Sequence, residues 1–190
     1  EFRRVLFRSL GERGKSQEII YTHWKYGNFP EDCEVVYGLD FGFSVPTALV
    51  KVGFKDGQTY AQEMLYETRM TTSDLIERLK TLNIRRSDEI FCDAAEPKTI
   101  EEVIRAGFNA KPADKDVYAG IQKVKSMPLN ISQDSTNLIK EIKSYKWKTD
   151  KDGKVHPDES PVKLNDHIID ALRYAVFTKL NKPKFEIMAW

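Results

Sequence analysis

Apolar runs bounded by turn residues divide the first half of the chain into predicted strands. Residues 34–40 (EVVYGLD) are a mostly apolar run that ends in an acid, which indicates a buried strand. Residues 47–54 and 59–66 predict two further strands, and the Asp56-Gly57 pair between them is a strong hairpin signal. Three strands joined by short connections predict an antiparallel meander.

Later in the chain the apolar residues recur at helical spacing. The pattern predicts helices that begin near residues 72, 97, 117, 136 and 165, the last of which extends to about residue 180. Short apolar runs at residues 89–93 and 108–111 predict strands that alternate with these helices. Residues 146–148 and 154–156 flank a polar turn, which predicts a β-hairpin that projects from the core.

This order of elements predicts the class of the fold. A meander followed by alternating strands and helices gives an α/β fold, in which helices flank a mixed sheet of antiparallel and parallel strands. The 190 residues are enough for one sizeable domain. Every apolar run is too short to cross a bilayer, so no membrane partner is expected.

Neither the net charge nor the cysteines identify a binding partner. The formal net charge is only +1, although lysines cluster within residues 111–125 and 140–154. Each cluster is either a solvated face or a DNA-facing surface, and the sequence leaves both interpretations open. Cys33 and Cys92 follow no metal-binding spacing, and no disulfide framework is expected.

The first residues do not fit the pattern that follows them. Residues 1–9 (EFRRVLFRS) are basic and apolar without a link to the predicted elements. We expect residues 1–15 to be a non-native or disordered leader, with a basic amphipathic targeting segment as the alternative for its first part. Residues 16–190 are expected to form a single domain.

Two acids stand at the ends of predicted strands. Asp40 closes the first strand, and Asp93 closes the fourth, where two alanines leave space beside the carboxylate. An unpaired carboxylate is too costly to bury, so Asp40 is expected outside the core with water, a partner or a metal. The structural alternatives are a turn aspartate before Gly42 and, for Asp93, a helix cap.

The last predicted helix supplies further acids. Asp166 and Asp170 share one face of this helix at a spacing of four residues, with His167 beside them. Asn165 and Asp166 are expected to cap the helix, which leaves Asp170 without a capping role. Because the two acids repel each other, a positive partner is expected, and a metal ion is favoured over Arg173. His167 is a ligand, a proton shuttle or a surface residue bonded to an acid.

Convergence of Asp40, Asp93 and Asp170 would create a site for hard cations, since Mg²⁺ prefers oxygen ligands. Two such ions, roughly 4 Å apart, support phosphodiester hydrolysis because one prepares the attacking water and the other stabilises the leaving oxygen. Asp40 ends the expected central strand and is therefore the best candidate for a carboxylate that bridges both ions.

Three motifs together resemble a known family. They are residues 37–44 (YGLDFGFS) followed by Pro46-Thr47-Ala48, residues 91–97 (FCDAAEP) and residues 165–174 (NDHIIDALRY). Their order is similar to that in the RNase H-like superfamily, and more narrowly in the C-terminal nuclease domain of tailed-phage terminase large subunits. The resemblance covers roughly residues 16–180, and its last motif is the distinctive one.

The resemblance implies an endonuclease that uses two Mg²⁺ or Mn²⁺ ions to cut double-stranded concatemeric DNA. By motif match, the metal ligands and catalytic acids fall on Asp40, Asp93 and Asp170. Asp166 is an alternative ligand on the last helix, and His167 matches an accessory catalytic position. The predicted hairpin resembles a family element near the active-site groove.

The resemblance also implies partners and a location. In the intact parent these are an N-terminal ATPase domain, the small terminase subunit and the portal, in the cytoplasm of the infected bacterial host and not in the mature virion. Residues 17–32 are then the linker tail from the ATPase domain, and the isolated domain is expected to be a monomer. Gly14-Lys15-Ser16 lacks the glycine spacing of a phosphate-binding loop, so no ATP hydrolysis is expected.

Other functions stay open at this point. A Holliday-junction resolvase or transposase-like nuclease would share the fold and the acids. An actin-like or sugar-kinase-type ATP-binding domain is a different class, suggested because residues 38–42 (GLDFG) resemble its first phosphate loop. That fold needs a second related lobe, which this length barely permits. A docking module that has lost its metals is disfavoured by the intact acids.

Overall fold

The computed structural model of the protein describes residues 18–151, 154–155 and 160–181. The leader predicted at residues 1–15 and the Gly-Lys-Ser sequence at its end lie outside the described residues. The strands are β1 (Trp24–Tyr26), β2 (Glu34–Asp40), β3 (Thr47–Lys55), β4 (Gln58–Glu67), β5 (Glu89–Cys92), β6 (Asn109–Pro112) and β7 (Leu129–Ile131). The helices are α1 (Thr72–Thr81), α2 (Pro97–Arg105), α3 (Val117–Lys125), α4 (Thr136–Ser144) and α5 (His167–Asn181).

The strands form one mixed, seven-stranded sheet in the order β1-β7-β4-β3-β2-β5-β6. The meander β2-β3-β4 is antiparallel, as predicted, and β5 and β6 continue the sheet in parallel beyond β2. In the β2–β5 pair, Leu39 lies opposite Cys92. The residues that follow them, Asp40 and Asp93, therefore leave the sheet side by side at the same edge.

Two short strands were not predicted from the sequence. Strand β7 pairs in parallel with β4, and β1 pairs in parallel with β7 at the outer edge of the sheet. Each has only three residues, too few to show a periodic pattern. Because β1 lies within residues 17–32, that segment takes part in the sheet, and Ile20 and Tyr21 are buried in the core. Its role as a linker from an upstream domain stays a prediction.

Alternating side chains on the strands bury two separate cores. Helices α1 and α2 cover one face, where Leu75 and Val103 pack with Leu39 and Leu49. Helices α3, α4 and α5 cover the other face, where Ile121, Ile142 and the apolar residues of α5 pack against β2, β3 and β7. The observed architecture therefore confirms the predicted α/β fold with helices flanking a mixed sheet.

Helix α5 lies unusually close to β2 because of a glycine. A methyl group added at Gly38 would stand 1.8 Å from the carbonyl oxygen of Ala171, which is a severe overlap. Only a residue without a side chain allows the backbone of α5 to approach this strand. The close approach brings the first turn of α5 next to Asp40, two residues further along β2.

The predicted hairpin is present with a different pairing. Thr149 pairs with Val155, while Trp147 pairs with Pro161, both in antiparallel bridges. Trp147 is only 6% exposed and packs in the core, and Val155 packs against the same core, so the projection predicted for this hairpin is not seen at these residues. Residues 152–153 and 156–159 lie outside the described residues. Among the described helices, none has the length and apolar character needed to cross a bilayer.

Candidate active site

Asp40 is buried at the end of β2, on the face covered by α5. The residue is 9% exposed, and its Oδ2 lies 3.3 Å from Nδ1 of His167. Burial raises the pKa of Asp40 to about 6, opposed by the His167 hydrogen bond and reinforced by the charges of Asp170 and Asp93. The expectation that this acid would lie outside the core was wrong, and the His167 contact is the partner that its burial requires.

Asp93 lies beside Asp40 because the β2–β5 pairing continues for one more residue. Its N–H donates to the carbonyl of Leu39 at 3.0 Å. The carboxylate accepts from the Ala95 N–H at 3.0 Å and pairs with Nζ of Lys115 at 2.6 Å. Lys115 comes from the segment between β6 and α3, and its side chain is 47% exposed.

The remaining acids lie at the start of helix α5, Asp166 directly before it and Asp170 in its first turn. Oδ1 of Asp170 accepts from Nη2 of Arg173 at 2.9 Å and from Nε at 3.3 Å. Arg173 is only 2% exposed, so this pair is held inside the fold. Burial and the charge of Asp170 raise the pKa of Asp166. The hydrogen bond with Asp40 raises the pKa of His167.

One cavity of about 200 Å³ brings the predicted acids together. Asp40, Asp93, Asp166 and Asp170 all line it, whereas His167 is not among its lining residues and contacts Asp40. The other lining residues are Lys115, Val117, Tyr145, Pro161, Lys163, Arg173 and Tyr174. A larger cavity of about 760 Å³ lies at the opposite end of β2 and contains none of the predicted site residues.

The structure balances these carboxylates with side-chain cations. Lys115 pairs with Asp93 and Arg173 with Asp170, so Arg173 supplies a positive partner for Asp170, and a metal ion at this acid stays a prediction. Within residues 18–151, 154–155 and 160–181, no group of three or more acid, histidine or cysteine side chains stands in position to hold one metal ion. Mg²⁺ usually binds one or two carboxylates and keeps several waters, so a smaller set of these acids can serve it.

The donor chemistry nevertheless fits hard divalent cations. The cavity is lined by four carboxylates, which supply the oxygen ligands that Mg²⁺ and Mn²⁺ prefer. Their mutual repulsion contributes to the raised pKa of Asp40 and Asp166, and a cation would relieve it. Lys115 is partly exposed, so its ammonium can move into solvent at little cost.

Glu141 is a buried acid that sequence reasoning missed. It lies on α4, is 2% exposed, and its Oε2 accepts from the N–H groups of Ile168 and Ile169 at 3.0 and 3.2 Å. Burial raises its pKa to about 7. It follows Leu138 by three residues on the apolar stripe of α4, and an acid at such a core position was the available signal.

Glu141 also corrects the predicted capping of α5. Asn165 and Asp166 were expected to cap this helix, but the first-turn N–H groups are satisfied by a carboxylate from a different helix. The carbonyl of Asp166 accepts the first intrahelical bond, from the Asp170 N–H at 2.7 Å. Asp166 is therefore the N-cap residue by backbone geometry, while its side chain faces the cavity.

Known proteins share the fold of this chain. A family model described as "Terminase RNAseH like domain" matches residues 40–177. No curated protein sequence matches the chain. The large terminase of a thermophilic bacteriophage is similar in structure, with a TM-score of 0.74 and 24% sequence identity. That match covers 86% of this chain and 45% of the phage terminase, so this chain spans less than half of that protein.

Isolated nuclease domains align over most of their length. The nuclease domain of the bacteriophage SPP1 large terminase, with bound Mn, gives a TM-score of 0.69 at 20% identity and covers 84% of this chain and 97% of that one. The P22 large terminase nuclease domain gives 0.65 at 17% identity, covering 83% and 86%. These likenesses show the fold, and the family match spans most of the sequence. The chain therefore belongs to the terminase RNase H-like domain family.

Proposed function

We propose that the protein is a divalent-metal-dependent endonuclease that hydrolyses phosphodiester bonds in double-stranded DNA. The convergence of Asp40, Asp93, Asp166 and Asp170 on one cavity, in a member of this family, carries the proposal. The Mn bound to the similar SPP1 nuclease domain supports the use of a divalent ion. Membership of the terminase family favours this function over an actin-like ATP-binding domain.

The residues of the cavity have separable roles in this proposal. Asp40, Asp93 and Asp170, with Asp166 as the alternative on α5, would hold Mg²⁺ or Mn²⁺ as two ions that activate a water and stabilise the leaving oxygen. His167 orients the Asp40 carboxylate through its Nδ1 contact. Lys115 and Lys163 place positive charge at the same cavity, where they attract the phosphates of the substrate.

The same family membership supports a biological role in DNA packaging. We propose that the domain cuts concatemeric DNA during packaging, as part of a longer large subunit with an ATPase domain. In that assembly its partners are the small terminase subunit and the portal, in the cytoplasm of the infected host. The isolated domain is expected to be a monomer.

A plasmid cleavage assay tests the proposal. The protein is expected to convert supercoiled plasmid to nicked and linear forms with Mn²⁺ or Mg²⁺, without ATP, and to lose this activity in EDTA. Asp40→Asn and Asp93→Asn should each abolish cutting, because each removes a charged ligand from the cavity. The melting temperature of Asp40→Asn should equal or exceed that of the parent, since a buried charge is removed.

Asp56→Asn is the matched control for these variants. It makes the same chemical change at an exposed turn residue with φ of 49°, a conformation that asparagine adopts readily. This variant should cleave like the parent. Full cleavage by both Asp40→Asn and Asp93→Asn would refute the proposed function.

A further inference from the structure

A carboxylate from one helix caps the helix that carries the predicted active-site acids. In an ordinary N-cap, the side chain of the cap residue accepts from the N–H groups two and three positions later. For α5 the cap residue is Asp166, and those two positions are Ile168 and Ile169. Both N–H groups donate to Oε2 of Glu141 instead, at 3.0 and 3.2 Å.

The fold holds Glu141 firmly in this position. Its other oxygen, Oε1, accepts from the Tyr66 hydroxyl at 2.6 Å, which ties α4 and α5 to β4. The preceding helix, α4, is capped in the same way by a carboxylate from another element. Oε2 of Glu63 on β4 accepts from the first-turn N–H groups of Asn137 and Leu138, at 2.7 and 3.0 Å. Remote carboxylates therefore cap two successive helices of this face.

We propose that Glu141 takes over the capping role of Asp166 and so leaves the Asp166 carboxylate available to the metal-binding cavity. The proposal rests on the function proposed above and makes Glu141 a positioning residue. Without the Glu141 carboxylate, two N–H groups of the first turn would lose their acceptor. The Asp166 side chain is the local group able to replace it, and in doing so it would turn away from the cavity.

Mn²⁺ binding by the parent and four variants tests whether Asp166 replaces Glu141 as the cap of α5. We expect Glu141→Ala to weaken Mn²⁺ binding about tenfold, measured by electron paramagnetic resonance, as outer-sphere changes at metal sites typically do. Asp166→Ala, which removes the ligand itself, should weaken binding at least as much. The double variant should bind Mn²⁺ no more weakly than the weaker single variant, because both changes remove the same ligand. Glu141→Gln should restore binding, since its amide oxygen can accept from both N–H groups.

Hydrogen exchange in EDTA gives a readout that needs neither metal nor cleavage. In Glu141→Ala the amides of Ile168 and Ile169 should stay protected while Asp166 caps them, and lose protection when Asp166→Ala is added, since alanine has no side chain that can cap. Thr71→Ala is the control, because Thr71 caps α1 through the Asp74 N–H and does not line the site cavity. It should lower the melting temperature without changing Mn²⁺ affinity.

The outcomes separate the two proposals. Parental Mn²⁺ affinity in Glu141→Ala, or exchange in that single variant as fast as in the double variant, would overturn the exchange of caps. A parent protein that binds no Mn²⁺ would overturn the proposed metal-dependent function, and the exchange pattern would still report on which carboxylate caps α5.

Discussion

Asp93 and Asp170 each have a cationic partner, and the two partners differ in how easily a metal ion could displace them. Arg173 is buried, contacts Asp170 through two nitrogens, and cannot leave without exposing an unpaired charge in the core. Lys115 is half exposed, and its single contact with Asp93 can be replaced by water. Of the two cations, Lys115 is therefore the one that a metal ion can displace.

Replacing Lys115 with methionine should strengthen metal binding. Its ammonium lies 2.6 Å from Oδ1 of Asp93, where it competes with any cation for that carboxylate. Removing one nearby positive charge should tighten Mn²⁺ binding roughly three- to tenfold at low salt, as measured by isothermal titration calorimetry. Lys111→Met is the matched control, because Lys111 pairs with Glu89 and does not line the cavity. Unchanged or weaker binding in Lys115→Met would contradict this prediction.

At the scale of elements, the position of α5 against β2 decides where Asp166, His167 and Asp170 lie. The two elements meet at Gly38, where a side chain would overlap the backbone of α5. A second glycine, Gly120 on α3, leaves room for the aliphatic part of Arg173, at 2.6 Å from a methyl group built on it. Glycines on β2 and α3 therefore determine how closely α5, the helix that bears the acids, packs against these two elements.

Gly38→Ala should be strongly destabilising. The added methyl group meets backbone atoms, which cannot move independently of α5, so the free energy of unfolding should fall by roughly 3 kcal/mol or more. Urea unfolding followed by circular dichroism measures this change. Gly53→Ala on β3 is the control, since the atoms nearest to its methyl group are the side-chain ends of Cys33 and Phe29 and not backbone. An equal loss in both variants would contradict the argument from backbone contact.

At the scale of the whole molecule, the buried acids link stability to pH. Burial raises the pKa of Asp40 to about 6 and that of Glu141 to about 7, from ordinary values of 3.8 and 4.5. Between about pH 4 and pH 7 the folded state therefore binds more protons than the unfolded state. Stability must fall as pH rises through this window. The raised pKa of His167 acts in the same direction, because its contribution is lost as pH rises through the folded-state value.

The metal-free protein should accordingly be more stable near pH 5 than at pH 8. The raised pKa of Asp40 by itself corresponds to a loss on the order of 3 kcal/mol between these pH values, measurable as the free energy of unfolding by urea in EDTA. Asp40→Asn should flatten the profile, and saturating Mg²⁺ should raise stability most at high pH, where the carboxylates are charged. A profile that rises from pH 5 to pH 8 in EDTA would contradict the prediction.

Local sequence patterns determined most of the elements and the identity of the acids. The long strands and the helices are visible in their apolar spacing, and Asp40 and Asp93 are visible as acids that end strands. Strands β1 and β7 were not visible, because three residues carry no period and their pairing depends on strand partners far along the chain. The capping of α5 was predicted wrongly, because its acceptor comes from α4.

The sequence by itself determined which chemistry is present, because carboxylates at the ends of strands and on one helix face follow from local spacing. Only the tertiary structure decided how they are used. It brought His167 into contact with Asp40, which is 127 residues earlier in the sequence, and made Glu141 the acceptor that caps α5. It also placed Arg173 in an ion pair with Asp170 and Lys115 in an ion pair with Asp93. The physical reason is that burial and charge pairing depend on which elements pack together, and local spacing does not encode those contacts.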